Sequence, residues 1–218
     1  MRAMIVLGQR MACLVAIAAS AISGSGADAA SFDCAKASSA MEHLVCGDAA
    51  LGARDEIIAR LYASASKVGK REAAVAEQRA WLGKAQACRT VACLADAYDR
   101  RNAELQRSEG GNAAGVDFFT DERDGASSTL NVVGPLHGFA SASLTSTYVG
   151  AGGAEAGNVY AVATDAFLDL RKGPAAFADG PCRLTVERLD ADRWKVSQAG
   201  KCELPGGTEF AGIYHRLP

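Results

Sequence analysis

The chain has 218 residues, with 23 lysines and arginines against 25 aspartates and glutamates, for a formal net charge of −2. That balance, without a basic stripe carrying interleaved aromatics, excludes nucleic acid as an expected partner. Seven cysteines are the compositional feature that needs an explanation.

Residues 1–30 read as a leader. Arg2 and Arg10 supply a positive start, and "MACLVAIAASAI" is apolar but too short to cross a bilayer. Ala27 and Ala29 stand as an A-x-A processing signal, so cleavage is expected after Ala29 or Ala30. Cys13 lacks the Leu-x-small-Cys arrangement that lipid attachment requires. The expected product is periplasmic or secreted, with no membrane span in the mature chain. Without Arg2, Arg10 and Asp28 it carries 21 basic and 24 acidic side chains, a net of −3.

The mature chain opens on "FDCAKASSAMEHLVC", Phe32 to Cys46. A short helix is expected over 38–45, with Ser39 and Glu42 at the spacing of a capping box. Three longer helices follow. Leu51, Ile58, Leu61, Tyr62 and Ala65 form one apolar stripe. Ala74, Gln78, Trp81, Ala85 and Cys88 form a second. Leu94, Ala97, Tyr98, Arg101 and Leu105 form a third. Asp48 is placed to cap the first of these, and Gly69 and the turn "CRTVAC" separate them. Arg101, on an apolar face, is expected to pair with an acid such as Asp55 or Glu77.

"SEGGNAAG", residues 108–115, has the composition of a linker. Beyond it the period changes to short β-prone runs: "VDFFT", "STLNVV", "ASLTSTYV", "NVYAVA", "AFLDL", "RLTVERL", "RWKVSQ" and "EFAGIYHRL". The expected architecture is therefore α+β. A disulfide-stapled helical domain spans 31–107, and a small antiparallel β sandwich or barrel spans 116–218. The helical half carries a net charge of +2 and the β half −4.

Cys182 and Cys202 lie equally far from residue 192. A hairpin turning at "DADR" would pair residues whose numbers sum to 384, setting Cys182 against Cys202 and Val186 against Gln198. Cys182, Leu184, Val186, Val196 and Cys202 would then share one face. A disulfide closing such a loop stabilises by ~3 kcal/mol.

Without Cys13, six cysteines remain, an even number that in an exported chain reads as disulfides. A zinc site on Cys34, Cys46, Cys88 and Cys93 fits poorly, because Cys-x11-Cys and Cys-x4-Cys lie outside the usual ligand spacings. His43 stands one turn before Cys46, but an oxidised Cys46 is no nucleophile. Cys34–Cys46 and Cys88–Cys93 are the preferred pairs because both close short loops, and crossed pairings remain open. "GAGGAEAG" is not set between a strand and a helix, and is expected as a loop between strands. Asp121/Glu122 and Asp190/Asp192 are expected in solvated turns. No P-loop, Gly-x-Ser-x-Gly or His-Glu-x-x-His occurs, and no catalytic, cofactor-binding or metal-binding residue is assigned.

The helical half resembles the LprI-type lysozyme-inhibitor N-terminal domain family over residues 32–105. "FDCAKASSAMEHLVC" looks like the family's opening, with Phe32, Cys34, Lys36, Glu42 and Cys46. "LGARDEIIARLY" is similar to its helix ending in tyrosine, with Asp55 and Tyr62. "QRAWL" matches its Gln-Arg-x-Trp-Leu core at Gln78, Arg79, Trp81 and Leu82. "CLADAYDRRNAEL" matches its tail, with Cys93, Leu94, Tyr98 and Arg101. Arg54 departs from the pattern, standing where an apolar residue is usual, and Ala85 and Gln86 replace an Arg-Asp pair. The β half looks like the small β domain often carried behind such modules, with its closing Phe210, Gly212 and Tyr214.

The resemblance implies a four-cysteine module that inhibits a lysozyme or other muramidase by steric occlusion, without chemistry and without a cofactor. Another reading is an envelope interaction protein that binds peptidoglycan or another envelope protein through the β half. A hydrolase is the least supported, because no nucleophile, base and orienting group can be named together.

Overall fold

The computed structural model describes residues 30–68, 71–108, 115–123 and 125–217. The leader expected over 1–30 falls outside them except for Ala30, as does most of the 108–115 linker. The α+β expectation holds: four helices precede an eight-stranded antiparallel barrel. Among the described residues, no helix is long and apolar enough to cross a membrane.

A single 3-10 turn, Cys34–Lys36, leads into α1 (Ala40–Gly47). The capping box is made: Ser39 Oγ accepts from the Glu42 N–H at 3.2 Å, and Glu42 Oε2 accepts from the Ser39 N–H at 2.8 Å. The helix begins two residues later than the expected 38–45, with Ser39 as its cap, as the capping-box spacing implied. α2 (Ala49–Val68) is capped by Asp48, whose Oδ1 accepts from the Leu51 N–H at 2.9 Å. α3 (Arg71–Ala85) and α4 (Val91–Arg107) form a hairpin. Leu51, Ile57, Ile58, Leu61, Leu94 and Tyr98 fill the helical core.

The strands are β1 (Val116–Arg123), β2 (Ala126–Leu136), β3 (Phe139–Val149), β4 (Val159–Asp169), β5 (Ala175–Asp179), β6 (Cys182–Arg188), β7 (Arg193–Gly200) and β8 (Gly212–Arg216). Around the ring, every strand neighbours the next in sequence, and β8 returns to pair with β1. Only β4 and β5 approach without a ladder, so the barrel is nearly closed. The sandwich alternative is thereby replaced by a single curved sheet. Phe119, Leu130, Leu144, Trp194, Phe210 and Tyr214 fill its interior.

Two strand expectations are corrected. "NVYAVA" and "AFLDL" belong to one strand, β4, since Thr164 and Asp165 pair with Leu144 and Ser143 without a break. "AAFAD" forms β5, which its alanines concealed. "GAGGAEAG" is indeed a loop between strands, joining β3 to β4.

The β6–β7 register is also corrected. Paired numbers sum to 382: Cys182 faces Gly200, Leu184 faces Gln198 and Val186 faces Val196. A shift of two residues preserves the faces, so Leu184, Val186 and Val196 still point into the core. Cys202 lies beyond the end of β7. Gly200, at φ +84°, turns the chain back, and a Cβ there would stand 2.9 Å from the Pro181 carbonyl oxygen. The bend brings Cys202 onto Cys182 with the Cα atoms 4.4 Å apart.

Asp121 and Glu122 are not in a turn but in β1, whereas Asp190 and Asp192 do lie in the β6–β7 connection. Asp121 sits at the β1–β8 seam, where Arg123 bridges it, at 2.8 Å, to Glu209, at 2.7 Å. Gly212 leaves room for that carboxylate, since a Cβ there would fall 2.0 Å from Asp121 Oδ2.

The helices lie against the outside of the barrel. Val133 joins the helical core, with Val116, Leu136 and Phe167 packed on it. Ser141 Oγ donates to Gln106 Oε1 at 3.0 Å, tying α4 to β3. Arg54 crosses the same boundary. Its Nε and Nη2 donate to the two oxygens of Asp99 at 2.7 and 3.0 Å, and its Cζ lies 3.6 Å from the centroid of the Phe167 ring. The residue that departs from the apolar pattern therefore joins α2, α4 and the barrel.

Candidate functional site

All six cysteines of the described chain are paired: Cys34–Cys46, Cys88–Cys93 and Cys182–Cys202. Oxidation takes both the zinc and the thiol readings away from them. His43, beside Cys46, is exposed. Cys34–Cys46 ties the entry turn to α1, and Cys88–Cys93 clamps the turn between α3 and α4.

That clamp sets the α3–α4 hairpin, and five motif residues, Asp55, Gln78, Trp81, Tyr98 and Arg101, meet at it. Trp81 donates its indole N–H to the Ala97 carbonyl at 3.0 Å. Its ring meets the Tyr98 ring edge-on, with centroids 5.2 Å apart. The Tyr98 hydroxyl donates to Asp55 Oδ1 at 2.7 Å, and Asp55 Oδ2 accepts from the Ser31 backbone N–H at 2.9 Å. Burial, and then the Asp55 carboxylate, push the Tyr98 hydroxyl well above the usual phenol range, so it is a fixed donor rather than a base. Asp55 therefore holds the segment at Ser31 on the helical core and is not the partner of Arg101.

Arg101 is the buried charge of the site, with a side chain only 4% exposed. Its Nε donates to Gln78 Oε1 at 3.1 Å and its Nη1 to Glu104 Oε2 at 3.0 Å. Of the two expected partners, Glu77 does form an ion pair with Nη1, at a longer 3.6 Å. Nη2 is buried without a hydrogen-bond partner. An unmet buried donor costs about 1–3 kcal/mol, and more on a charged group.

Arg101 lines a groove of about 470 Å³ between α3 and α4. Ala80, Trp81, Ala97 and Leu105 give it an apolar wall, and Lys84 and Arg100 stand at its basic side. With Glu77 and Glu104, the lining carries three basic and two acidic groups. A second cleft, of about 410 Å³, lies on the other side of α4 and shares Arg100 and Glu104 with the first. Asp165 and Phe167 form its barrel wall, and Arg107 forms an ion pair with Asp165 across it. The exposed side chains Arg100, Glu104 and Arg107 thus form a ridge between two depressions.

The other motif residues lie elsewhere. Phe32 is half-buried against the helical core, and Leu94 is fully buried. Lys36 is exposed and paired with Asp33 at 3.2 Å. Glu42 is the α1 cap, its carboxyl held down at about 2 by the Ser39 and Ser38 backbone N–H groups. Tyr62 is half-buried beside Ser66 and Arg71. Arg79 and Leu82 lie on the exposed side of α3. Sequence reasoning passed over Lys84 and Arg100 as groove residues. The signal was present: Lys84 follows Trp81 by one turn, and Arg100 precedes Glu104 by one turn.

Among the described residues, no group of three or more histidine, cysteine, aspartate or glutamate side chains could hold a metal ion. Compared with protein-family models, with curated proteins and with solved structures, the chain shows no match.

Proposed function

We propose that this chain is an exported binding protein that inhibits a lysozyme-like muramidase by occluding its cleft, without chemistry of its own. The resemblance of residues 32–105 to the LprI-type inhibitor family motivates the reading. The observation that carries it is a helical face held rigid while Arg100 stands exposed on it. Trp81, Tyr98, Asp55 and Gln78 are engaged in bonds within the fold, and Cys88–Cys93 clamps the hairpin that carries the ridge. A rigid face loses little conformational entropy on binding, which is what an inhibitor acting by shape requires.

The charges fit such a target. Glycoside hydrolases work with a pair of carboxylates, and Arg100 projects the opposite charge from α4. The net −4 of the β half would steer a basic enzyme toward the molecule.

The test mixes the purified, oxidised chain with c-type, g-type and i-type lysozymes and follows cell-wall clearing. Slowing of at least one type is expected, weakened by Arg100→Glu. No slowing of any type at micromolar excess overturns the reading.

A further inference from the structure

We infer that the groove between α3 and α4 is a binding site for a small monocarboxylate carried on a flat apolar body. This does not depend on muramidase inhibition.

The argument starts from the guanidinium of Arg101. An arginine offers five N–H donors in a fixed fork. Here Nε and Nη1 are engaged by Gln78 and Glu104, while Nη2 is buried without a partner. The Nη1–Nη2 edge of an arginine accepts a planar carboxylate by two parallel hydrogen bonds. Glu77 Oε2 stands 3.6 Å from Nη1, beyond hydrogen-bond distance, and its side chain is 67% exposed. It is a loosely held stand-in: Nη2 is closed off from solvent, and a turn of Glu77 outward would bring the outer edge of the guanidinium to the groove.

The rest of the groove defines what travels with the carboxylate. Trp81 has its N–H and one ring edge engaged by Ala97 and Tyr98, so what it offers the groove is apolar surface. Ala80, Ala97 and Leu105 extend that surface. The groove volume of about 470 Å³ lies within the range of small-molecule sites. Three basic groups against two acidic ones favour a single negative charge. A phosphate dianion would bring a second charge close to Glu77 and Glu104. A carboxylate takes a position that the protein's own carboxylates already occupy.

The site reports on itself. The chain has two tryptophans, and Trp194 is buried in the barrel, so a ligand-dependent change in indole fluorescence comes from Trp81. The probes are phenylacetate, phenylacetamide, acetate and inorganic phosphate, titrated into the full oxidised chain. Phenylacetate is expected to saturate. Phenylacetamide and acetate are expected to bind at least about tenfold more weakly, since each lacks one half of the recognition. Phosphate is expected to bind no better than acetate. Glu77→Gln, at an exposed position that leaves the fold intact, is expected to tighten phenylacetate binding about threefold or more by removing the competing carboxylate. Lys84→Ala is expected to weaken it.

Arg101→Lys is expected to abolish binding, and Glu77→Gln decides the matter if that variant does not fold. Equal binding of the acid and the amide, a preference for phosphate, or no saturation by phenylacetate in either wild type or Glu77→Gln up to about 20 mM would each overturn the proposal.

Discussion

Glu42 shows how much one carboxylate does at the start of a short helix. It accepts from the Ser38 and Ser39 backbone N–H groups, both at 2.8 Å, and those bonds hold its pKa at about 2, below an ordinary value near 4.5. A group whose folded pKa is depressed stabilises above its unfolded pKa, and that stability is lost as pH falls toward the folded value. Glu42→Gln should therefore be less stable than wild type at neutral pH, and the difference should shrink as pH falls from about 4.5 to about 2. Thermal melts across that window check it, and a difference constant with pH would contradict the assigned role. This residue was legible in the sequence, because a capping box is a three-residue relation. Arg54 was not. Its partners Asp99 and Phe167 lie 45 and more than 100 positions away, and the sequence showed only that an arginine stood where an apolar residue was usual. The bidentate pair and the ring contact together contribute about 1–2 kcal/mol. Arg54→Lys keeps the charge but not the fork, so it should lose most of that stability in urea unfolding. If Arg54→Lys proves as stable as wild type, the fork geometry does not matter.

At the scale of elements, the β6–β7 hairpin separates what alternation reveals from what the turn decides. Period two assigned Leu184, Val186 and Val196 to one face, and they share the core. The register differed by two because the connection centres on residue 191 rather than 192. A two-residue slip leaves every side chain on its face and so leaves the hydrophobic pattern unchanged. Cys202 is consequently not a strand residue. It anchors the segment from Lys201 to Ala211, which crosses one end of the barrel. Leu204 packs on the core, the Glu209 N–H donates to Ser146 Oγ at 3.0 Å, and the Phe210 N–H donates to Gln198 Oε1 at 3.1 Å. Replacing both Cys182 and Cys202 by alanine should cost ~3 kcal/mol and lower Tm by roughly 6–12 °C, with hydrogen exchange fastest in that segment. A Tm unchanged within error would mean that the segment holds its place without the bridge.

The whole molecule is held by relations between the two halves. Ser141 reads as a polar residue on the solvent face of a strand, yet it is 5% exposed and bonded to Gln106. Ser143 is also buried, because the helices cover that face of β3. The candidate groove arises at the same scale: α3 supplies Trp81 and Lys84, α4 supplies Arg100 and Arg101, and the Cys88–Cys93 clamp sets the hairpin between them.

By itself the sequence determined the helices and their inward faces, the caps at Ser39 and Asp48, and the change of period after residue 115, and it favoured the cysteine pairs closing short loops. Each depends on residues a few positions apart, so local stereochemistry and hydrophobic period suffice. Only the tertiary structure decided that the sheet closes through β8 on β1, that the helices cover β3, that Arg54 reaches the barrel, and that Arg101 keeps one buried edge unmet. Those outcomes depend on partners roughly 20 to 100 positions apart, brought together by packing of surfaces that no local pattern specifies.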